Sequence, residues 1–518
     1  MNPGTLLIRA DASITTGSGH VMRCLALAQA WQDAGGTVMA VMVEATPAIE
    51  ERLRREAIEV TRLAATPGTE DDAAHTARLA QDLQTAWVVI DGYQFDSAYQ
   101  ASLKSCGLRV LLIDDDGQSD HYSADLVLNQ NAHASENRYG RRASYTRLLL
   151  GPRYAMLRRE FDSWRNWRRE IPAAAHRILI TMGGSDPDNF TMRVMEALPL
   201  VEGESLEVVV VIGGSNPHEV ALEKAAAGLN TRCAVRLVKN TLSMPELMAW
   251  ADVAVSGAGT TCWEMCLLGL PALVVDLAKN QFPVAQRLDE LGVARYIGSS
   301  HDCSIEKIAS ELTRLLASSE TRSRMCTRGR ELVDGRGASR VCAAMLNSGV
   351  RVRRARESDS RLLWEWANEP GVRASAFSQG PIGWEEHSAW FQAKLADKDC
   401  MILIGEVSDA EPMGQVRINQ KPNREAEIDL SVARDFRGAG YGSLLLETAL
   451  REVFDSCRIT KVHAFIRPEN LASARAFEKA GFLRLGEKQV KGTMALHYCR
   501  ERLHSDSTIE DVARSDRR

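Results

Sequence analysis

The strongest constraint on the fold is an alternation, over the first two thirds of the chain, of short apolar runs with stretches of helical length. TLLIRA leads through a glycine turn into HVMRCLALAQAW, and TVMAVMV, WVVIDGY, RVLLIDDD and ADLVLNQ follow at intervals. Apolar runs of roughly four to eight residues, rich in Val and Ile and closed by Gly or Asp, fit strands buried on both faces. Helices between such strands act as crossovers, so the sheet is predicted to be parallel with helices on both sides. This first Rossmann-like, doubly wound domain is expected over residues 1–155. After a linker-like stretch, SWRNWRREIPAAAHR, a second series (RILITMGGSD, LEVVVVIGG, AVRLVK, DVAVSGAG, PALVVDLA) predicts another over residues 170–346. The predicted fold class is therefore α/β, with a ligand crevice between the two domains at the carboxyl ends of their strands.

From residue 350 the pattern changes to an α+β one. VRVRRARESD precedes a Trp-rich helical region (Trp364, Trp366, Trp384, Trp390), in which Trp364, Trp366 and Trp390 are read as core. Strand-like CMILIGEVS, MGQVRINQ and EIDLSVA come next, then a glycine turn, the helix GSLLLETALREVF, KVHAFIRPEN and a last helix. A separate domain over 350–503 is expected, with a polar, core-poor tail at 504–518 predicted to be disordered. Sixty-three Lys and Arg against 68 Asp and Glu leave a formal charge of -5, which gives no basic field for nucleic acid or anionic lipid. Eleven Cys without a CxxC pair or zinc spacing read as reduced thiols and predict no metal. Arg9 and Asp11 interrupt any signal-peptide core, and no apolar run approaches about 18 residues, so a cytoplasmic protein away from membranes is expected.

Two glycine constellations carry chemistry in the first 346 residues. Thr16-Gly17-Ser18-Gly19-His20 joins a strand to a helix whose apolar face holds Val21, Leu25 and Ala28. Gly17 and Gly19 permit close backbone approach, and the free amides of a helix start favour an anion. His20 lies where the macrodipole disfavours an imidazolium, which suits a general base. In the second series, Met182-Gly183-Gly184-Ser185-Asp186 is one phosphate-friendly loop. Ser256, Gly257, Gly259 and Thr260 form another, with Glu264 one turn into the following helix, where it could accept from ribose hydroxyls. Asn280 and Gln281 close the same site. Asp114, Asp115 and Asp116 read as the end of a strand entering a turn.

These motifs support a resemblance. SGAGTTCWEMCLLGLPALVV and LAKNQFPVAQRL look like the UDP-binding half of two-domain GT-B glycosyltransferases. IRADASITTGSGHVMRCLALAQAW, VVIDGYQFD, LLIDDD, LVLNQN and LGPRYAMLRREF together resemble the UDP-2,4-diacetamido-2,4,6-trideoxy-β-L-altropyranose hydrolases of pseudaminic acid biosynthesis, over about residues 5–340. The resemblance implies that His20 is the catalytic base. It implies a UDP site at Gly183, Gly184, Ser256, Gly259, Glu264, Asn280 and Gln281, with Asp11, Arg23, Tyr93 and Tyr154 lining the sugar pocket.

The last domain has its own signature. Arg437-Gly438-Ala439-Gly440-Tyr441-Gly442 lies between a strand and a helix, a geometry that lets backbone amides grip a pyrophosphate. With Ile466-Arg467-Pro468-Glu469-Asn470 and SARAFEKAGF, this loop resembles the acetyl-CoA site of GNAT acetyltransferases. The resemblance implies acetyl-CoA as co-substrate against Leu430, Val432, Arg437, Gly438, Gly440, Gly442 and Asn470. Many members carry a tyrosine acid where this chain has Phe477. In EIDLSVA, Glu427, Asp429 and Ser431 share one face, so a carboxylate there is one possible base for the acceptor amine, and His463 is another.

Together the resemblances imply a bifunctional enzyme. It would acetylate the 4-amino group of UDP-4-amino-4,6-dideoxy-N-acetyl-β-L-altrosamine and then hydrolyse UDP from the product. A UDP-sugar glycosyltransferase fused to an acetyltransferase, or a catalytically silent UDP-sugar module that recruits one, are the alternatives.

Overall fold

A computed structural model describes residues 3–13, 17–117, 119–203, 205–229, 233–239, 241–346, 350–407, 411–437, 441–456 and 459–502. The chain forms two compact units, residues 1–346 and 347–518. The expected tail at 504–518 lies outside the described residues.

The first unit holds two parallel sheets. Its first strands are β1 (Thr5–Ala10), β2 (Thr37–Met42), β3 (Glu59–Arg62) and β4 (Trp87–Asp91). They continue with β5 (Val110–Ile113), β6 (Leu126–Asn129) and β7 (Arg147–Leu150), and the order across the sheet is β3-β2-β1-β4-β5-β6-β7. The second sheet contains β8 (Arg177–Thr181), β9 (Leu206–Ile212), β10 (Cys233–Lys239), β11 (Val253–Gly257), β12 (Ala272–Asp276) and β13 (Arg295–Ser299). Its order is β10-β9-β8-β11-β12-β13. β4, β5, β6, β11 and β12 are buried from end to end, as runs such as WVVID and ALVVD require when helices cover both faces. Strand order reverses between β1 and β4 in one sheet and between β8 and β11 in the other. These are the switch points where open α/β sheets bind ligands, and both glycine constellations follow strands at them.

The stretch read as a linker is docked on the second sheet. Trp164 and Trp167 pack against that core, and the Arg169 guanidinium donates to the carbonyls of Met248 at 2.6 Å and Leu268 at 3.2 Å. The segment expected to close the second domain returns to the first. In helix Gly337–Leu346, the carbonyl of Met345 accepts from Trp87 Nε1 at 2.9 Å, and Cys342 Sγ lies 3.7 Å from the carbonyl of Ala30. Eight of this helix's ten residues are buried, so its apolar residues match a surface in each direction and local pattern cannot say which lobe takes them.

The second unit is one seven-stranded sheet, of order β14-β15-β16-β17-β18-β20-β19. Its strands are β14 (Arg351–Arg354), β15 (Cys400–Val407), β16 (Glu411–Lys421), β17 (Glu425–Val432), β18 (Lys461–Ile466), β19 (Leu483–Val490) and β20 (Thr493–Glu501). All neighbours are antiparallel except β17 and β18. That pair is in register only from Glu425↔Lys461 to Glu427↔His463, although the strands run on to Val432 and Ile466. They diverge toward their carboxyl ends and leave a wedge. Leu363, Phe391, Cys400, Ile402 and Ile404 form a core with Trp366 and Trp390 packed against it, while Trp384 is exposed.

Candidate functional sites

The first site grows from the carboxyl ends of β1, β4 and β5. Helix Gly19–Asp33 starts at the glycine turn and puts His20 and Arg23 on one face, one turn apart. Asp91, the last residue of β4, is fully buried beneath them. A carboxylate only accepts, so the 2.6 Å contact places a proton on His20 Nδ1, donated to Asp91 Oδ1. Arg23 forks onto the same carboxylate, donating from Nε to Oδ2 and from Nη2 to Oδ1, both at 2.7 Å. Its Nη1 donates to Asp115 Oδ1, also at 2.7 Å. Burial pushes the Asp91 carboxyl up, but the Arg23 guanidinium and the His20 ring outweigh it and hold the group well below the usual carboxylate range. Asp115 is held down in the same way, chiefly by Arg23 against burial. The network therefore keeps both carboxylates ionised, fixes the imidazole, and leaves Nε2 as its basic nitrogen.

Further groups bound this network. Tyr93 sits edge-on to His20, ring centres 5.1 Å apart, and its hydroxyl donates to Asp115 Oδ2 at 3.3 Å. Asn131 Nδ2 donates to Asp115 Oδ1 at 2.8 Å. From the second sheet, Asn280 Nδ2 donates to the Tyr93 hydroxyl at 2.5 Å, so the two lobes meet at this point. A side chain on Gly184 would collide with Ser18, and one on Gly19 would come within 4.0 Å of Thr260 Oγ1. The two glycine constellations thus face each other.

Both facing helices, Gly19–Asp33 and Thr261–Leu268, begin without a side-chain cap, at Ser18 and Thr260. Their first amides point into the same crevice, an arrangement suited to a diphosphate. The helix after the Gly183-Gly184 loop differs. Asp186, in a left-handed conformation at φ 45°, accepts from the amides of Phe190 and Thr191 and satisfies that helix start itself. Gln281 arches over the other loop. Its Oε1 accepts from the amide of Leu277 at 3.0 Å, and a side chain on Gly257 or Gly259 would reach it at 3.8 Å. Glu264 accepts from Arg158 Nη2 at 2.8 Å. Burial pushes its carboxyl up, and Arg158 draws it partly back.

Other residues singled out from the sequence have internal partners. Asp11 is ion-paired to Arg9 at 2.7 Å and accepts from the amides of Val43 at 2.7 Å and Glu44 at 3.0 Å, which binds β1 to the end of β2. Tyr154 is buried, with the Arg153 guanidinium 5.1 Å from its ring centre. Ser256 is buried and its hydroxyl donates to the carbonyl of Gly257 at 3.1 Å. The Asp114–Asp116 run, read as a turn, divides. Asp114 accepts from the amides of Asp116 and Gly117 as a turn residue does, whereas Asp115 joins the Arg23 network. Sequence reasoning missed Asp91, Asp115 and Arg158. The signal for Asp91 was its place as the last residue of an apolar strand.

In the second unit the loop residues Gly438 and Gly440 lie outside the described residues. Their flanks are defined. Arg437 Nε donates to the carbonyl of Val432 at 2.8 Å and its Nη2 pairs with Glu369, and that hydrogen bond holds the Glu369 carboxyl down. Gly442 opens helix Tyr441–Ser456. A side chain there would meet Ala476 at 3.4 Å, Val432 at 3.6 Å and Leu430 at 3.7 Å, so Gly442, Leu430 and Val432 adjoin on one face of β17. Asn470 Oδ1 accepts from the amide of Ser473 at 3.1 Å and caps helix Leu471–Lys479. Phe477 is buried against Phe482, ring centres 4.9 Å apart. The β17 carboxylates are paired across strands, Glu427 with Lys421 at 3.2 Å and Asp429 with Arg417 at 2.6 Å.

Comparison with known proteins agrees with this division. Residues 177–334 match the glycosyltransferase family 28 C-terminal domain, and residues 350–483 match the acetyltransferase (GNAT) domain. An uncharacterized protein of Methanocaldococcus jannaschii is 24% identical over 493 residues, covering 92% of this chain and 96% of the relative. The spore coat polysaccharide biosynthesis protein SpsG of Bacillus subtilis is 27% identical over 237 residues, 46% of this chain and 68% of that protein. The UDP-2,4-diacetamido-2,4,6-trideoxy-β-L-altropyranose hydrolase of Campylobacter jejuni is 24% identical over 292 residues, 55% of this chain and 97% of the hydrolase. Two parallel-sheet lobes ending in a glycosyltransferase family 28 C-terminal domain are thus fused, in one polypeptide, to a GNAT acetyltransferase domain.

Proposed function

We propose that the protein performs two consecutive reactions on a UDP-linked amino sugar. The GNAT domain acetylates the 4-amino group of UDP-4-amino-4,6-dideoxy-N-acetyl-β-L-altrosamine with acetyl-CoA. The first unit then hydrolyses the resulting UDP-2,4-diacetamido-2,4,6-trideoxy-β-L-altropyranose. The observation that carries the hydrolytic reading is the buried Asp91–Arg23–Asp115 network that holds His20 opposite two uncapped helix starts. The alignment of 97% of the Campylobacter hydrolase with 55% of this chain supports the substrate.

In this mechanism the amides near Gly17–Gly19 and Gly257–Thr261 take the diphosphate, and Glu264 takes a ribose hydroxyl. His20 Nε2 accepts a proton from water while the water oxygen bonds to the anomeric carbon. The bond from that carbon to the UDP oxygen breaks, and UDP leaves with the electron pair. Asp91 stabilises the imidazolium through Nδ1–H, as a buried carboxylate does in a hydrolytic triad. Tyr93 and Asn280 hold the sugar at the meeting point of the lobes. In the GNAT domain, Leu430, Val432, Arg437, Gly438, Gly440, Gly442 and Asn470 hold acetyl-CoA along and above the β17–β18 wedge.

The test is turnover of the acetylated UDP-sugar in ¹⁸O-water with no second acceptor. The wild type should release UDP and place the label in the free sugar, and His20→Ala should be slower by about 10²–10⁴-fold with UDP affinity kept. UDP release that requires an added sugar or lipid acceptor would instead assign the unit to glycosyl transfer. UDP-sugar binding without turnover would leave it a binding module.

A further inference from the structure

On β18, Val462, Ala464 and Ile466 are buried, while Lys461, His463 and Phe465 lie on the opposite, more open face. The same face of β17 carries Glu425, Glu427 and Asp429, and that of β20 carries His497 and Cys499 by register with Phe465 and His463. His463 is the last β18 residue in register with β17, so it stands at the apex where the two strands part. Beyond this point β17 pairs only with β16 and β18 only with β20 among the described residues, and the acetyltransferase reading above seats the pantetheine arm of acetyl-CoA between their facing edges, with its thioester toward the apex. An amine to be acetylated must then approach across this open face.

Three side chains on the face form a chain. His463 Nε2 lies 3.5 Å from Glu425 Oε2, and His463 Nδ1 lies 3.0 Å from His497 Nε2. The carboxylate beside it favours a proton on His463 Nε2, and with that tautomer His463 Nδ1 accepts from His497 Nε2–H. The His497 ring, stacked on Phe465 at 4.8 Å, is left with its lone pair on Nδ1. We propose that Glu425, His463 and His497 form a relay that removes the proton from the acceptor's ammonium group, with His497 Nδ1 the atom that takes it. His497 is the catalytic residue, and His463 and Glu425 are positioning residues. The inference rests on the acetyltransferase reading above for the identity of its acceptor.

The reaction balances around this step. The ammonium proton passes to His497, the freed amine nitrogen bonds to the thioester carbonyl carbon, and the carbon–sulfur bond breaks. The sulfur leaves with the electron pair and receives the second nitrogen proton, giving amide and CoA thiol. His497 then returns its proton to water. Glu425 stabilises the positive charge on the pair. Lys488 on β19, 5.3 Å from the Phe465 ring centre, opposes it, while Lys461 on β18 is paired with Glu501 on β20 at 2.8 Å and Glu427 on β17 with Lys421. Burial, then His463, then Lys488 hold His497 below the ordinary histidine value, so it is neutral and able to accept at neutral pH.

The test uses the full chain with acetyl-CoA and UDP-4-amino-4,6-dideoxy-N-acetyl-β-L-altrosamine, following CoA release across pH. His497→Gln should lower kcat by about 10²–10⁴-fold with KM for acetyl-CoA unchanged, and should abolish the acidic limb of the profile. Glu425→Gln should move that limb to lower pH, because the charge favouring a protonated pair is gone. His497→Gln with wild-type kcat and limb overturns the relay. Histidine ¹⁵N NMR of the full chain, assigned with the two His→Gln variants, decides the tautomers independently of any acceptor. Protons on His463 Nε2 and His497 Nε2 are expected in the neutral pair, and a proton on His497 Nδ1 overturns the proposal. If the wild type leaves this sugar untouched, the assigned substrate falls while the NMR result still judges the relay.

Discussion

Arg23 illustrates how one buried cation organises a site. Its guanidinium serves two carboxylates, of which Asp91 is fully buried and costly unless paired, and Asp115 is partly buried. Asp91→Asn should therefore destabilise the first unit by about 3–5 kcal/mol, the range for breaking a buried pair from one side. The pH dependence has a definite sign. Asp91 and Asp115 are held below the unfolded carboxylate value of about 3.9, so their contribution is complete above it and is lost as pH falls through the lower folded values. Urea midpoints of this unit should differ most between wild type and Asp91→Asn above pH 4 and should converge below it; a constant gap from pH 6 to 2.5 would contradict the assignment. None of this pairing is local. Asp91 and His20 are 71 residues apart, and Arg23 and Asp115 are 92 apart. His20 could be singled out because a histidine opening a helix after glycines has a local reason to be there. Asp91 and Asp115 look like ordinary strand-end acids until the order of β1, β4 and β5 brings them under that helix.

The elements themselves were legible because their causes are short-ranged. A wholly apolar run such as VLLI in β5 has little choice but a doubly covered strand, and glycine turns mark where strand gives way to helix. Helix Gly337–Leu346 was not legible in its placement, since its contacts are distant in sequence. Gly337 is the point where it passes the Tyr154–Ala155 backbone, so closely that any side chain would collide with the carbonyl of Ala155. Backbone cannot yield as a flexible side chain does. Gly337→Val should cost about 1–3 kcal/mol by overpacking and lower the thermal midpoint of the first unit, leaving the second unit's transition where it was. An unchanged midpoint would mean that the strap has another way to lie. In the second unit, the early end of the β17–β18 register was equally hidden, because EIDLSVA and KVHAFI read as unbroken strands.

Residues 1–346 and 347–518 each have their own sheets and cores, so the two activities should separate. A chain ending at residue 346 should hydrolyse the acetylated UDP-sugar at the full-length rate, and one starting at residue 347 should transfer acetyl groups from acetyl-CoA. Gly442→Trp in the intact chain should stop acetyl transfer alone, because the bulk would enter the space beside Leu430 and Val432. Folded halves that are each inactive would show that the two sites depend on each other. Within the first unit, the polypeptide crosses between the lobes twice, once after Leu150 and again through Gly337–Leu346, with Arg340 Nη1 donating to the carbonyl of Arg153 at 2.9 Å where the crossings meet. Two adjacent crossings act like the knuckles of a door hinge. Of the relative motions of two lobes joined this way, rotation about the line through the crossings strains the connections least. Across the crevice, the Asn280–Tyr93 hydrogen bond is then the latch: on the proposed function, any opening about this line to pass a nucleotide sugar has to break it.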